Sequence, residues 1–592
     1  MNKISIVTGV AAIIGLGAIG TAMTKDGEDR SRGPVMLAQG GGELRNVALT
    51  ELEPLTALDA DSICSRYMTQ DAFRGDLHSM PSRAGGAFGE FSSSVSRSSP
   101  QMADSMMAPP SAPMPAPVVA FAPSSERYDG EDVAGAIRVA DNPVSTFSID
   151  VDTASYANAR RFLSEGRMPP AASVRTEEML NYFRYDYETR GTSDAPFDVS
   201  LDVTRSPWNT DSRILRVGLT GDSIPDGRRP PANLVFLVDV SGSMNSMDKL
   251  PLVKCSLALA AERLAPEDSI AIVAYSGWSG VVLEPTSSRQ RVLSAIDSLA
   301  SGGSTGGEAA IRMAYDLAHR NFRKGQVNRI IMATDGDFNV GISDKDDLVS
   351  LVENERRGGV SLTTLGFGTG NLNDAMMEQI ADHGNGNYFY IDSPAEARKV
   401  LDEEMVSTIF TIAKDVKVQV EFNPAHVSEY RLIGYENRTL REEDFANDQV
   451  DAGEIGSGHQ VTALYEIIPA GGKGWFPDRR YAANRRSSSP GDPGSEVAMV
   501  SLRYKQPDGD RSTEIGFPAT VEMLRNAGQP DGETAFALAV AGYGQRMRGD
   551  EWIGDWSFAD SARLAQGQAS SDIRRQFVEL ARRASEMERK QS

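Results

Sequence analysis

Five oxygen-bearing side chains occupy positions where they could together hold a metal ion. Asp239, Ser241 and Ser243 follow the apolar run LVFLV directly. Thr305 lies in the loop GGSTGG, and Asp335 lies in ATDGD after another apolar run. Carboxylate and hydroxyl oxygens without sulfur or imidazole nitrogen favour a hard cation, Mg²⁺ or else Mn²⁺ or Ca²⁺. Because hydroxyls are weak ligands, such a cation would keep one open position for a further oxygen.

The surrounding elements are predicted to bring these side chains together. After LVFLV, apolar strands such as SIAIVAY, RIIMAT and SLTTLGF alternate with amphipathic helices. This alternation predicts an α/β fold, with a doubly wound and mostly parallel sheet covered by helices on both faces. Ligands of such sheets bind outside the carboxyl ends of the strands. The polar residues that follow the strands are therefore expected to converge at that edge.

The motifs DVSGS, GGSTGG and TDGD resemble the metal-ion-dependent adhesion site of von Willebrand factor type A (VWA) domains. The resemblance covers residues 230–405 and includes all five positions, Asp239, Ser241, Ser243, Thr305 and Asp335. It implies a Rossmann-like fold and a site in which the metal bridges the domain to an acidic residue of a protein partner. It also implies binding rather than catalysis.

The flanking segments are similar to those of bacterial YfbK-like proteins, in NPVSTFSIDVDTASYANARRFL before the VWA-like part and YRLIGYENRTLREEDF after it. The alternating apolar residues of FDVSLDV, DVKVQVEF and VTALYEI predict strands of a β-sandwich. Because such strands stand on both sides of the VWA-like part, we expect one sandwich to clasp it. The last helix carries Ile573, Phe577, Leu580, Ala584 and Met587 on one face, which favours docking on its own domain.

Charge and the amino terminus limit the function classes. The formal net charge is −22, which disfavours a nucleic-acid partner. The apolar run from Ile4 to Met23 is typical of an export signal or a membrane anchor. Its glycines also spell GxGxxG, but no helix and second strand follow, so no nucleotide cofactor is expected. The protein is therefore predicted to be exported, either periplasmic or anchored to the membrane.

The predicted organisation places a tether between this segment and the folded body. Residues 81–125 are rich in Ser, Pro, Gly and Met, a composition typical of disorder. In chain order we predict a signal peptide or membrane anchor (1–25), a low-complexity disordered linker (26–127), a flanking region of helices and sandwich strands (128–229), the VWA domain (230–405) and a β-rich and helical domain (406–592).

Two alternative functions remain open at this stage. GGSTG formally matches GxSxG, the nucleophile elbow of hydrolases, but a helical pattern rather than a strand precedes it. A metal-dependent hydrolase would need a base, for which Glu308 and Asp337 are the nearby candidates. The other alternative is a scaffold in which the metal only holds loops. Among the scattered histidines, His459 in GSGHQ is the one to examine.

The cysteines and one tryptophan are expected to have structural roles. Cys64 and Cys255 stand far apart, in segments of different character, so no disulfide framework is expected. Cys255 is predicted to be a small buried side chain in the helix after DVSGS. Trp278, in the loop YSGWSG, is predicted to pack rather than to anchor a ligand.

Overall fold

The computed structural model describes residues 60–69, 125–149, 151–187, 195–225, 228–304, 306–336, 345–477, 479 and 495–591, all of them in one compact unit, Ala57–Ser592. The strands in chain order are β1 (Ile137–Arg138), β2 (Val144–Ser148), β3 (Phe197–Arg205), β4 (Arg213–Gly221), β5 (Ala232–Asp239), β6 (Ser269–Tyr275), β7 (Ser279–Thr286), β8 (Val327–Thr334), β9 (Ser361–Phe367), β10 (Tyr388–Ile391), β11 (Thr411–Phe422), β12 (Val427–Ile433), β13 (Thr439–Leu440), β14 (Gly453–Gly456), β15 (Gln460–Pro469), β16 (Glu496–Lys505) and β17 (Ser512–Thr520).

The helices alternate with the strands in the middle of the chain and cluster towards its end. In chain order they are α1 (Ala60–Met68), α2 (Ala154–Ser164), α3 (Thr176–Asn181), α4 (Leu250–Glu262), α5 (Arg289–Ser298), α6 (Glu308–Arg320), α7 (Lys345–Arg356), α8 (Asp374–His383), α9 (Pro394–Arg398), α10 (Met405–Ile409), α11 (Val521–Asn526), α12 (Gly532–Arg548), α13 (Phe558–Gln566) and α14 (Asp572–Gln591).

The central sheet has the strand order β10-β9-β8-β5-β6-β7, and only β7 runs antiparallel to its neighbour. The side chains of β5 are buried along its whole length, as a strand covered on both faces requires. Helices α4 and α5 pack on one face, and helices α6 and α7 pack on the other. The predicted doubly wound α/β fold is thereby confirmed.

Two further sheets form the β-sandwich around the central domain. Their orders are β1-β12-β15-β4-β3 and β13-β2-β11-β16-β17, with β14 paired to β11. A single apolar core joins both sheets through side chains such as Phe147, Phe422 and Tyr465. Because β1 to β4 precede the central sheet and β11 to β17 follow it, the α/β domain is inserted between β4 and β11 of one sandwich. This confirms the predicted clasp.

Helices α12, α13 and α14 cover the outer side of the first of these sheets. Phe577, Leu580 and Ala584 of α14 are buried in a core that also contains Ile214 of β4 and Leu464 of β15. The last helix therefore docks on its own domain, as its apolar face predicts. Over the part of the chain that the structure describes, no helix combines the length and the apolar character needed to cross a membrane.

Helix α1 corrects the prediction about the cysteines. Cys64 of α1 and Cys255 of α4 form a disulfide, with their Cα atoms 4.7 Å apart. The Tyr67 hydroxyl also donates a hydrogen bond to Asp297 Oδ1 at 2.9 Å, and Arg66 forms an ion pair with Asp297. The expectation of no disulfide was wrong because a pairing across 191 residues depends on the docking of α1, which the weak pattern around Cys64 does not indicate.

The predicted export signal or anchor at 1–25 and the Ser/Pro-rich tether at 81–125 fall almost wholly outside the described residues. Asp337, one of the two candidate bases, also lies outside them.

Candidate metal site

Asp239 is the last residue of β5 and is fully buried. Its Oδ1 accepts a hydrogen bond from the backbone N–H of Ser241 at 2.9 Å, and its Oδ2 accepts one from the Thr334 hydroxyl at 3.0 Å. Since β5 and β8 are parallel neighbours, with Val238 opposite Ala333, both strands end at the same edge. The structure thus joins the two loops that the sequence places there.

The two serine hydroxyls stand side by side in the loop after β5. Ser241 Oγ and Ser243 Oγ are 3.0 Å apart and share a hydrogen bond. Ser241 is buried, whereas Ser243 is exposed to solvent. The oxygen cluster is therefore anchored in the protein on the Asp239 side and open to solvent on the Ser243 side.

The loop that carries Thr305 is tied to the same place, although Thr305 itself lies outside the described residues. The Gly302 N–H donates to the Val240 carbonyl at 2.8 Å, and the Gly242 N–H donates to the Gly303 carbonyl at 2.9 Å. Gly303 has φ +86°, a left-handed conformation that glycine adopts without strain. These bonds bring the loop before Thr305 against the Asp239 loop.

Asp335 is buried beside the cluster and is bound by a lysine that sequence reasoning missed. Lys249 Nζ lies 2.9 Å from Asp335 Oδ2 and also donates to Asn371 Oδ1 at 2.8 Å. The aliphatic part of Lys249 passes so close to Gly368 that any larger residue there would collide with it. No sequence signal marks this arrangement, because Lys249 precedes α4, whereas Asn371 and Gly368 lie in the distant loop between β9 and α8.

The electrostatics of the site leave an excess of negative charge. Burial raises the pKa of Asp239 to about 6, the nearby Asp335 carboxylate adds to that effect, and the hydrogen bonds from Ser241 and Thr334 oppose it. Within the described residues no cationic side chain forms an ion pair with Asp239, whereas Lys249 neutralises part of the charge of Asp335. A buried carboxylate without a counter-charge is costly, which a bound cation would relieve.

These side chains fit a hard divalent cation. They provide two carboxylates and two hydroxyls, without any sulfur or imidazole ligand. Over the described ranges, no three His, Cys, Asp or Glu side chains cluster as a metal centre built from those residues alone would require. The candidate site therefore depends on its serine hydroxyls as well as on Asp239 and Asp335.

Trp278 corrects a second prediction, since its side chain is 58% exposed instead of packed. It lies in the turn between β6 and β7, where the Ser276 N–H donates to its carbonyl at 2.7 Å. The turn lies against the loop of Ser304, because a side chain at Gly277 would collide with Ser304 Oγ. A large apolar side chain is thus exposed at the same edge of the sheet as the oxygen cluster.

The residues considered for other chemistry have structural contacts. The segment before Ser304 contains helix α5 rather than a strand, unlike a nucleophile elbow. Glu308 begins α6 and pairs with Arg312 one turn later. His459 is buried, and burial lowers its pKa to about 4, with the Arg184, Lys399 and Arg329 charges adding to that effect.

Three family models match the chain. The model described as "von Willebrand factor type A domain" matches residues 234–337, and one described as "von Willebrand factor" matches residues 122–216. The model described as "Uncharacterized protein YfbK, C-terminal" matches residues 407–587. The first covers the loops of Asp239, Ser241, Ser243 and Asp335, and proteins with this domain often mediate protein interactions.

The chain is also similar to individual proteins. The uncharacterized protein YfbK of Escherichia coli (strain K12) is 44% identical over 469 residues, which cover 77% of this chain and 81% of that protein. The uncharacterized protein sll0103 of Synechocystis is 28% identical over 190 residues, 32% of this chain and 44% of that protein. A solved VWA structure from Catenulispora acidiphila covers 67% of this chain and 91% of its own, with a TM-score of 0.37 and 15% identity. The chain belongs to the VWA domain proteins of the YfbK-like group.

Proposed function

We propose that this protein binds an acidic group of a partner protein through a divalent cation, Mg²⁺ or else Mn²⁺ or Ca²⁺, held at the carboxyl end of its central sheet. Asp239, Ser241, Ser243 and Asp335 would hold the cation, together with Thr305 from the neighbouring loop. The observation that carries the proposal is the shared oxygen cluster, in which Thr334 and Ser241 fix the Asp239 carboxylate and Ser241 meets Ser243.

The charges around the site favour an anionic partner. Two carboxylates and the Lys249 ammonium leave one net negative charge, so a divalent cation would make the site positive overall. A bound cation supplies an electrophilic position for one more oxygen ligand. A carboxylate of a partner protein provides such an oxygen together with the opposite charge, which a neutral hydroxyl does not.

Trp278 offers the apolar contact that such a complex needs. Aromatic side chains are enriched among the residues that dominate binding energies, because they bury a large area with little loss of conformational freedom. Trp278 is exposed at the edge of the sheet that carries the oxygen cluster. We therefore place the partner's acidic residue at the metal and an adjoining apolar surface of the partner on Trp278.

We also propose that the protein is exported and acts in the cell envelope without catalysing a reaction. The Cys64–Cys255 disulfide supports an oxidising compartment, since disulfides are rare in reducing cytosol. The apolar segment at Ile4–Met23 would direct export and could hold the protein at the membrane.

The experiment is a pull-down from envelope extracts with the full-length protein, in Mg²⁺ and again in EDTA. Asp239→Ala is the test variant, and Asp510→Ala, at an exposed aspartate in the β16–β17 turn, is the matched control. We expect a partner that requires both Mg²⁺ and Asp239 and that Asp510→Ala retains. Recovery of the same proteins from the wild type in EDTA and from Asp239→Ala in Mg²⁺ would reject the proposal.

A further inference from the structure

A second cleft lies at the edge of the central sheet opposite the oxygen cluster. It has a volume of about 570 Å³ and is bordered by the first residues of β8 and β9, the turn after α7, the start of β11 and the β16–β17 turn. Arg329 near the start of β8 is six residues before Asp335, roughly 20 Å along an extended strand. The cleft therefore lies between the α/β domain and the sandwich, well away from the candidate metal site.

Most of the charged side chains that line this cleft, the basic cleft, are cationic. Its charged residues are Lys324, Arg329, Arg356, Arg357 and Lys414, against only Glu454 and Asp508. This excess is unusual for a chain whose net charge is −22. A local positive potential on an acidic protein attracts small anions to that one place.

Three of these cations form no ion pair with a carboxylate among the described residues. Within the described part of the chain, Lys324, Arg329 and Lys414 form no ion pair. Arg356, by contrast, pairs with Asp451, and Arg357 lies 3.9 Å from Glu353. The charges of Lys324 and Lys414 are therefore not neutralised by an ion pair, and Arg329 has only the electrostatic effect of Glu454 to offset its charge.

Arg329 is the residue of the cleft that most favours an anionic ligand. Its side chain is 3% exposed, and its Nη1 donates to the Thr363 hydroxyl at 2.8 Å and to the Thr408 carbonyl at 3.1 Å. Among the residues that the structure describes, none accepts a hydrogen bond from its Nε. Burial lowers the pKa of Arg329, and the Glu454 carboxylate only partly opposes this effect. Because a buried, unpaired charge is destabilising, the site favours a ligand that brings negative charge.

We propose that the basic cleft binds a ligand carrying phosphate groups. Guanidinium and ammonium groups donate charge-assisted hydrogen bonds to phosphate oxygens, and several cations together suit a group with more than one negative charge. The volume exceeds that of a single phosphate, and Phe322, 39% exposed, adds apolar surface at the border. The phosphate can belong to a free small molecule or to the headgroup of an anionic phospholipid.

The test uses the full-length protein in EDTA, so that a metal-bound phosphate cannot contribute. One arm titrates pyrophosphate by calorimetry, and the other measures co-flotation with phosphatidylglycerol vesicles against phosphatidylcholine vesicles. The test variant is K324Q/K414Q, which removes two cations of the cleft. The matched control, K473Q/R525Q, removes two exposed cations that do not line it.

We expect K324Q/K414Q to weaken binding about tenfold or more in at least one arm and the control to stay within about twofold of the wild type, because only the first removes donors of charge-assisted hydrogen bonds to phosphate oxygens. Loss in the first arm identifies a free phosphorylated ligand, and loss in the second identifies a headgroup. Absence of wild-type binding in both arms, or equal losses in both double variants, would overturn the proposal. If K324Q/K414Q does not fold, the single change Lys324→Glu at an exposed position replaces it under the same criteria.

Discussion

The two ends of the central sheet carry opposite charge. At the carboxyl end, the buried carboxylates of Asp239 and Asp335 lie near the amino-terminal ends of α4 and α6, which carry partial positive charge. At the amino end, Arg329 and Arg356 lie where α6 and α7 terminate, which carries partial negative charge. The helix dipoles thus favour the charge found at each end, and the excess that remains is available to a ligand of opposite sign.

The comparison predicts that the two ends bind their ligands independently. Asp239→Ala should lower the affinity for Mg²⁺ more than about 100-fold, because it removes a charged ligand, and should leave pyrophosphate binding in EDTA unchanged. K324Q/K414Q should do the reverse. Thermal unfolding with and without Mg²⁺, combined with calorimetry of both ligands, measures each effect. If either variant altered binding at the other end as strongly as at its own, the separation of the two sites would be wrong.

The disulfide should stabilise the fold without affecting ligand binding at either end of the central sheet. Reduction, or Cys64→Ser, is expected to lower the free energy of unfolding by about 2–5 kcal/mol, because an open chain gains conformational freedom when unfolded. Chemical denaturation with and without reductant measures this loss. Cys64→Ser and Cys255→Ser should each cost as much as the double variant. Loss of Mg²⁺ binding on reduction at a temperature where the protein stays folded would show instead that α1 shapes the metal site.

The stability of the fold should be sensitive to acid because His459 is buried, and burial lowers its pKa. The Arg184, Lys399 and Arg329 charges add to this effect, and the Glu404 carboxylate opposes it. With a folded pKa of about 4 and an ordinary unfolded value of about 6.5, His459 takes up its proton more readily in the unfolded chain. Its contribution is therefore complete above pH 6.5 and is lost as the pH falls towards 4, up to about 3 kcal/mol. Unfolding free energies of the wild type and His459→Gln across this range test the effect. If the unfolding free energies of the wild type and His459→Gln fell in parallel as the pH fell, the assigned effect of His459 would be wrong. His426→Gln is the control and should follow the wild type.

The smallest expected effect concerns Lys249 at the carboxyl end. Lys249→Met should tighten Mg²⁺ binding by about tenfold, because it removes a competing cation from Asp335. The same change should weaken the binding of the partner's carboxylate, since the metal-loaded site would then carry no net positive charge. Calorimetry with Mg²⁺ and partner binding at saturating Mg²⁺ separate the two effects. Lys254→Met, in α4, is the control and should change neither quantity. If Lys249→Met shifted Mg²⁺ affinity and partner affinity in the same direction, the role assigned to Lys249 would be wrong.

The carboxyl end could largely be predicted from the sequence, whereas the amino end could not. Asp239, Ser241 and Ser243 occupy alternate positions at the end of one buried strand. Parallel pairing of β5 with β8 then brings the end of β8 beside them. Lys249 contacts Asp335 because its side chain passes close to Gly368. The spacing of these residues in the sequence does not indicate that contact.

The basic cleft is built from residues of six separate segments, and the net negative charge of the whole chain gives no sign of its local positive charge. The same limit applies to the Cys64–Cys255 pair and to Trp278. The alternating pattern gave the elements and their faces correctly, but which loops meet, and how exposed a loop side chain is, depend on tertiary packing.

Calorimetric titration of the metal-free, full-length protein with Mg²⁺ tests the central claim most directly. The account predicts one bound Mg²⁺ per chain, binding that is lost in Asp239→Ala, and unchanged binding in Asp510→Ala. Equal heats for the wild type and Asp239→Ala would contradict a metal site at the carboxyl end of the sheet.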